Sequence, residues 1–170
     1  MHAYCLYCRT QDCRIIAREL ELAYEDVKCI YPQIVQRKWV KGRCTEEIHN
    51  WLQGYIFLYS ETKLERRYDI PGVIRVLGND ELKGENLAFA QMLLEHDGVV
   101  GTVRLIEVGD RCTIDDPLWR HLQGIVIKID RGRKRCCIDI TFDDAHRSIW
   151  VGYELIKPQD AVSNSVGRYE

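Results

Sequence analysis

The stretch GIVIKIDRGRKRCCIDITF, residues 124–142, carries Arg131, Arg133, Lys134 and Arg135 within five positions. Four clustered cations repel one another, and phosphate groups relieve that repulsion. A short turn loaded this way is a compact electrostatic footprint for nucleic acid. Lys128, Arg120 and His121 extend the basic set in the same region. Phosphate contacts would follow a paired stem by its shape, while arginines can stack on or hydrogen-bond to unpaired bases. The competing use is a solvated turn neutralised by its neighbours, since Asp110, Asp115, Asp116, Asp130 and Asp139 lie in the same region.

A second cationic group sits near the N-terminus. Arg14 and Arg18 are four apart and share one helical face, with Arg9 just before them. Their partners are either phosphates or the neighbouring Glu19, Glu21 and Glu25. RKWVKGR, residues 37–43, reads as a basic hairpin tip whose Trp39 is either packed or turned toward a partner. Catalytic chemistry finds no support: there is no glycine-rich phosphate loop, nucleophile elbow or paired-carboxylate constellation. Of eight cysteines, Cys5 and Cys8 form a lone Cys-x-x-Cys in what reads as a strand, where residues three apart point to opposite faces. The five histidines show no His-x-x-x-His spacing. We therefore expect a non-enzymatic protein without metal or cofactor, its thiols reduced.

The elements that must position these groups fall into two textures. The first half reads as α/β. Strands are expected at 3–9, 27–40, 54–60 and 70–78, with helices from Asp12, near 61–69, and over 84–96. Asp12 is a candidate N-cap. From about 107 to 157 the chain reads as short strands with no helical period, hence a small barrel. In its central hairpin, Ile125, Ile127 and Ile129 share one face, as do Cys136, Ile138, Ile140 and Phe142, so each set is expected to be covered. The chain has 170 residues, 46% of them hydrophobic, and a net charge of −2, so any nucleic-acid contact comes from local patches rather than a global positive field. No apolar run approaches the roughly 20 residues that span a bilayer. MHAYCLYCRTQDCR lacks a basic segment followed by an apolar one, so no signal peptide is expected.

Taken in order, YCLYC in the first strand, LQGYIFLY (52–59), IPGVIRVLG (70–78) and VGDRCTIDDPLWRHLQGIVIKID (108–130), with its Gly124, resemble NusG-type transcription elongation factors. ELKGENLAFAQML and KIDRGRKRCCIDITF resemble the specialised LoaP-type antiterminator branch. The resemblance implies an α+β chain: an N-terminal α/β NGN domain (1–98, antiparallel-rich sheet flanked by helices), a linker (99–107), a C-terminal SH3-like β-barrel or KOW domain (108–158), and a polar tail (159–170). It implies that Tyr7, Tyr55 and Phe57 face the clamp helices of the RNA polymerase β′ subunit. Arg9, Arg14 and Arg18 then lie beside the non-template DNA strand, and the basic hairpin meets nascent RNA, a structured RNA hairpin being one candidate. The protein is expected to be a cytoplasmic monomer with no membrane contact, acting in processive antitermination. A general NusG-like factor whose KOW domain binds a protein, or a ribosome-associated KOW protein, are the alternatives. Three features depart from the pattern. Gln53 replaces a proline, Pro117 comes one place early, and Asp143-Asp144-Ala145 replaces a Phe-Gly-Arg that contacts a ribosomal protein, so that contact is not expected here.

Overall fold

A computed structural model describes residues 1–65, 70–108 and 111–156. They form two compact units, one of residues 1–34 and 50–100, the other of residues 35–49 and those from 101 onward. In chain order the first holds β1 (His2–Cys8), α1 (Cys13–Ala23), β2 (Val27–Ile30), the start of β3 (Gln33–Val40), the end of β4 (Arg43–Asn50), β5 (Tyr55–Ser60), β6 (Val73–Val76), α2 (Gly84–Glu95) and β7 (Val99–Val100). Its main sheet runs β2-β5-β1-β6, antiparallel throughout. At its centre β1 and β5 pair from His2 with Ser60 to Tyr7 with Tyr55.

Both faces of that central pair are covered, which is why YIFLYS is apolar without alternation. On one face Tyr4, Leu6, Ile56 and Leu58 pack with Ile16, Ala17 and Leu20, the buried stripe of α1. On the other, Phe57 meets Phe89 of α2 edge-on at 5.6 Å, and the Tyr59 hydroxyl donates to the Ala90 carbonyl at 2.6 Å. Each such apolar side chain contributes about 1.5–3 kcal/mol by leaving water. The single strand expected over 27–40 is two, because Pro32 interrupts it and β3 leaves for another sheet, ordered β4-β3-β7. The expected 70–78 strand shortens to 73–76. Residues 61–65 contain no helix, and the rest of the helix expected near 61–69 lies outside the described residues.

The second unit contains β8 (Val103–Val108), β9 (Arg111–Ile114), α3 (Pro117–His121), β10 (Ile125–Asp130), β11 (Arg135–Phe142) and β12 (Ala145–Ile156). Their order is β10-β11-β12-β8-β9, with β8 parallel to β12 and the other pairs antiparallel. The edge strands β9 and β10 also approach one another, which curls the sheet. Strands β7 and β8 fill most of 99–107, the stretch expected to be a linker. The expected polar tail, 159–170, lies outside the described residues.

The helix α3 corrects the expectation of strands alone. Asp116 accepts from the Leu118 amide at 3.1 Å and Pro117 opens the first turn, so the early proline starts a helix. That helix drives Leu118 and Trp119 into the core. Gly124 then has to be glycine: a Cβ there would stand 2.9 Å from the Trp119 carbonyl oxygen and 3.1 Å from Ile138. The hairpin strands also divide differently from expectation. Cys136, Ile138, Ile140 and Phe142 are buried as expected, but Ile125 and Ile127 are 65% and 56% exposed. Strand β10 lies at the sheet edge, and its register sets Ile125 opposite the half-buried Asp139 and Val126 opposite the buried Ile138, before slipping between Val126 and Lys128.

Asp26 staples the loop after α1 to the end of β5. Its Oδ2 accepts from Thr62 Oγ1 (2.8 Å), the Thr62 amide (2.9 Å) and Ser60 Oγ (3.0 Å). The Thr62 hydroxyl bond and then the Thr62 amide bond do most to hold this carboxyl below its ordinary value of 3.8. A depressed folded pKa means stability that is complete above the unfolded value and lost as pH falls through the folded one. Asp26→Ala is therefore expected to lower the urea midpoint at pH 7 while leaving it little changed near pH 2. An equal loss at both pH values would show that the carboxylate charge is not involved.

Candidate functional site

The basic turn is built on one carboxylate. Asp130 Oδ1 accepts from the Arg133 amide at 3.1 Å, closing the loop locally, while Lys134 takes a left-handed backbone with φ of 48°. Asp130 Oδ2 meets Arg135 Nε at 3.1 Å and Arg133 Nη1 at 3.9 Å. Desolvation pushes the Asp130 carboxyl up, but the Arg133 amide and the Arg135 and Arg133 guanidiniums outweigh it and hold it below the usual range. Arg131 pairs with Glu107 of β8. The turn is thus not the bare cationic knot its sequence suggests.

Availability differs among the four cations. Arg131 and Arg133 keep 68% and 61% of their side chains exposed, so their ion pairs exchange readily with other anions. Lys134 is exposed and forms no ion pair among the described residues. Arg135 is committed internally: its guanidinium lies 4.6 Å from the Trp150 ring centroid while bonding Asp130. Lys128 is exposed two register positions from the turn. Arg120 and His121 are not gathered with it. The Leu122 carbonyl accepts from the Thr141 amide, six residues along β11 from Arg135 and so roughly 20 Å away. Arg120 instead pairs with Asp115.

The aromatic set divides as well. Phe57 is 1% exposed and Tyr55 4%, so the outward face expected of them is a packed one, covered at Phe57 by Phe89. Tyr7 is only partly buried: its ring tilts against Tyr55 at 4.8 Å, and the Arg75 guanidinium lies 5.7 Å from its centroid. Gly54 makes this corner possible. At φ of 88°, a Cβ there would approach both the Cys8 carbonyl and the Tyr7 ring to 2.9 Å.

Arg14 and Arg18 are exposed on α1 as expected. Arg9 is also exposed but pairs with Asp12 at 2.7 Å, and Asp12 makes no capping bond, because a short 3-10 turn over Thr10–Asp12 precedes the helix. The hairpin tip turns at Lys41 and Gly42, both with positive φ, and leaves Trp39 46% exposed. Burial pushes the Cys8, Cys29 and Cys136 thiols up to about 12, which keeps them protonated and unreactive at neutral pH. No cluster of three His, Cys, Asp or Glu suited to a metal occurs among the described residues. Sequence reasoning missed a set of amides, Gln11, Gln33, Asn50 and Gln53, which line a cleft together with Arg14. The glutamine standing where a proline was expected was the signal that could have found them.

No protein-family model matches the chain, and no curated protein matches its sequence. Among solved structures it is similar to one described as "Domain interaction in Thermotoga maritima NusG". The two share 14% identity over 89% of this chain and 93% of that one, with a TM-score of 0.52. The likeness is one of fold: this sheet-rich α+β chain has a NusG-like fold. No helix among the described residues is long and apolar enough to cross a membrane.

Removing the Phe57 ring leaves a cavity against Phe89, so Phe57→Ala is expected to cost about 3–5 kcal/mol in urea unfolding. Tyr7→Ala should cost distinctly less, because part of that ring already faces solvent. Equal losses would mean that Tyr7 is as sealed as Phe57.

Proposed function

We propose that this protein is a non-enzymatic transcription elongation factor of NusG type, acting as a processive antiterminator of the LoaP kind. The first unit docks on RNA polymerase at the β′ clamp helices, using the partly exposed ring of Tyr7 with Tyr55 behind it. A tyrosine offers a large apolar body and a hydroxyl at low entropic cost, which suits a reversible contact. Phe57 supports that corner from the core. Arg14 and Arg18, with Arg9 once it exchanges Asp12 for a phosphate, lie along the non-template DNA strand. Binding that favours the elongating enzyme over its paused form suffices to shift the population.

The observation that carries the RNA part of the reading is the prefolded turn at 131–134, where Lys134 forms no ion pair among the described residues and Arg131 and Arg133 stand largely in solvent. Phosphates replace Glu107 and Asp130 as partners when nascent RNA binds. A second reading has its own support: Ile125 and Ile127 form an exposed apolar pair on the edge strand β10, which suits a protein partner for this unit.

Binding of the full chain to an RNA hairpin separates the two. With about four phosphate contacts, log affinity should fall against log salt with a slope of roughly −3. Replacing Arg131, Arg133 and Lys134 by alanine should flatten that slope. Glu107→Gln, which frees Arg131 from its competitor, should raise affinity by about two- to fivefold. If neither change moves RNA binding, the protein-partner reading takes its place. Separately, Tyr7→Ala should abolish capture of a clamp-helix fragment without unfolding the chain. Full capture by that variant would remove the docking surface proposed here.

A further inference from the structure

The outer face of α1 turns two large apolar side chains to solvent. Ile15 is 60% exposed and Leu22 76%, the highest value for a large apolar side chain among the described residues. One exposed apolar side chain is ordinary on a helix. Ile15, Arg18 and Leu22, however, fall at i, i+3 and i+7, the spacing of a seam that meets another helix. Arg14 and Glu21 are also seven apart, so they run along one flank of that seam.

The charges on this face do not satisfy one another. Arg14, Arg18 and Glu19 are exposed and form no ion pair among the described residues. Glu21 Oε1 accepts from the Cys29 amide at 2.9 Å, which holds the carboxylate in place while its second oxygen can take a further donor. The arginines occupy the first half of the helix and the glutamates the second. That order opposes the helix dipole, which favours anions at the start and cations at the end, so the isolated helix gains nothing from it.

The pattern is self-complementary in one orientation. Laid antiparallel against a second copy, about a two-fold axis near Arg18 and Glu19, Ile15 meets Leu22 of the other chain and Arg14 meets its Glu21. Each contact then occurs twice. The two Arg18 guanidiniums approach at the axis, where Glu19 and Glu21 of both copies offset their repulsion. A parallel pair would instead set Arg14 against Arg14 and Glu21 against Glu21.

We infer that α1 is the contact of a homodimer, formed by antiparallel pairing with the same helix of a second chain. Eleven residues at about 1.5 Å each make a helix only ~16 Å long, so the contact is small and the dimer weak and reversible. The inference goes beyond the proposed function, since it needs neither polymerase nor nucleic acid. Because pairing covers Arg14 and Arg18, the dimer and a DNA strand exclude one another on this helix.

The test is sedimentation equilibrium of the full chain at low salt and at concentrations up to about 1 mM, as so small a contact requires. A reversible monomer–dimer equilibrium is expected. Raising salt to about 1 M, where the screening length is about 3 Å, should weaken it. Arg14→Glu and Glu21→Lys lie at exposed positions, so both variants should fold, to be checked by melting. Each alone faces like charges across the axis and should raise the dissociation constant by about tenfold or more. An equal mixture of the two restores both ion pairs and should associate within about threefold of the unmodified chain. Leu22→Ser should weaken association without restoring it in any mixture. A chain that stays monomeric throughout overturns the inference and leaves this face to a different partner. A dimer that ignores these substitutions, or a mixture that fails to associate, overturns it as well.

Discussion

The antiparallel pairing of β1 with β5, buried on both faces, is the constraint on which the first unit depends. Because α1 covers one face and α2 covers part of the other, almost every side chain of these two strands is committed to packing. Among the aromatic residues of β1 and β5, only Tyr7, at the corner it makes with Gly54 and Tyr55, remains partly open. What this part of the first unit leaves to solvent lies at its margins, among them the tyrosine corner and the arginines on the outer side of α1. A sheet covered on one face alone would leave a broad surface open. This one leaves open the tyrosine corner and part of the edge strand β6, where Ile74 is 56% exposed.

The second unit solves a different problem, that of building a core from short strands. The single turn of helix α3 supplies what the strands cannot, a tryptophan delivered to the centre, and Gly124 permits the close return of the chain beneath it. The turns at the two ends of β11 differ in composition: Arg131, Arg133 and Lys134 occupy one, while Asp143 and Asp144, both with left-handed backbones, form the other.

Asp130 shows how a carboxylate inside a basic motif works with it. Without that side chain, three neighbouring cations would repel one another across a four-residue loop. With it, one backbone amide and two guanidiniums share an acceptor, and the loop holds a defined shape. The cost is net charge, since Asp130 and Glu107 each offset part of the cluster. The benefit is preorganisation, which reduces the ordering needed on binding. Surface pairs of this kind are weak enough for phosphate to displace.

Patterns confined to short spans of the chain are legible in the amino-acid sequence itself. The 3.6-residue spacing of Ile16 and Leu20 identifies α1, the apolar run at 84–96 identifies α2, and the alternation from Cys136 to Phe142 identifies which face of β11 is buried. These patterns are readable because a helix or a strand imposes its period on the residues that must face the core. Neighbours distant in sequence decided the rest. Phe57 is sealed because Phe89, more than thirty positions away, lies on it. Ile125 is exposed because β10 ends the sheet, and Arg131 is partnered because β8 brings Glu107 beside it. Gln33 and Asn50 meet because β3 and β4 pair. A side chain's type and period are properties of its own segment, whereas its exposure and its partner are properties of whatever the fold places opposite it.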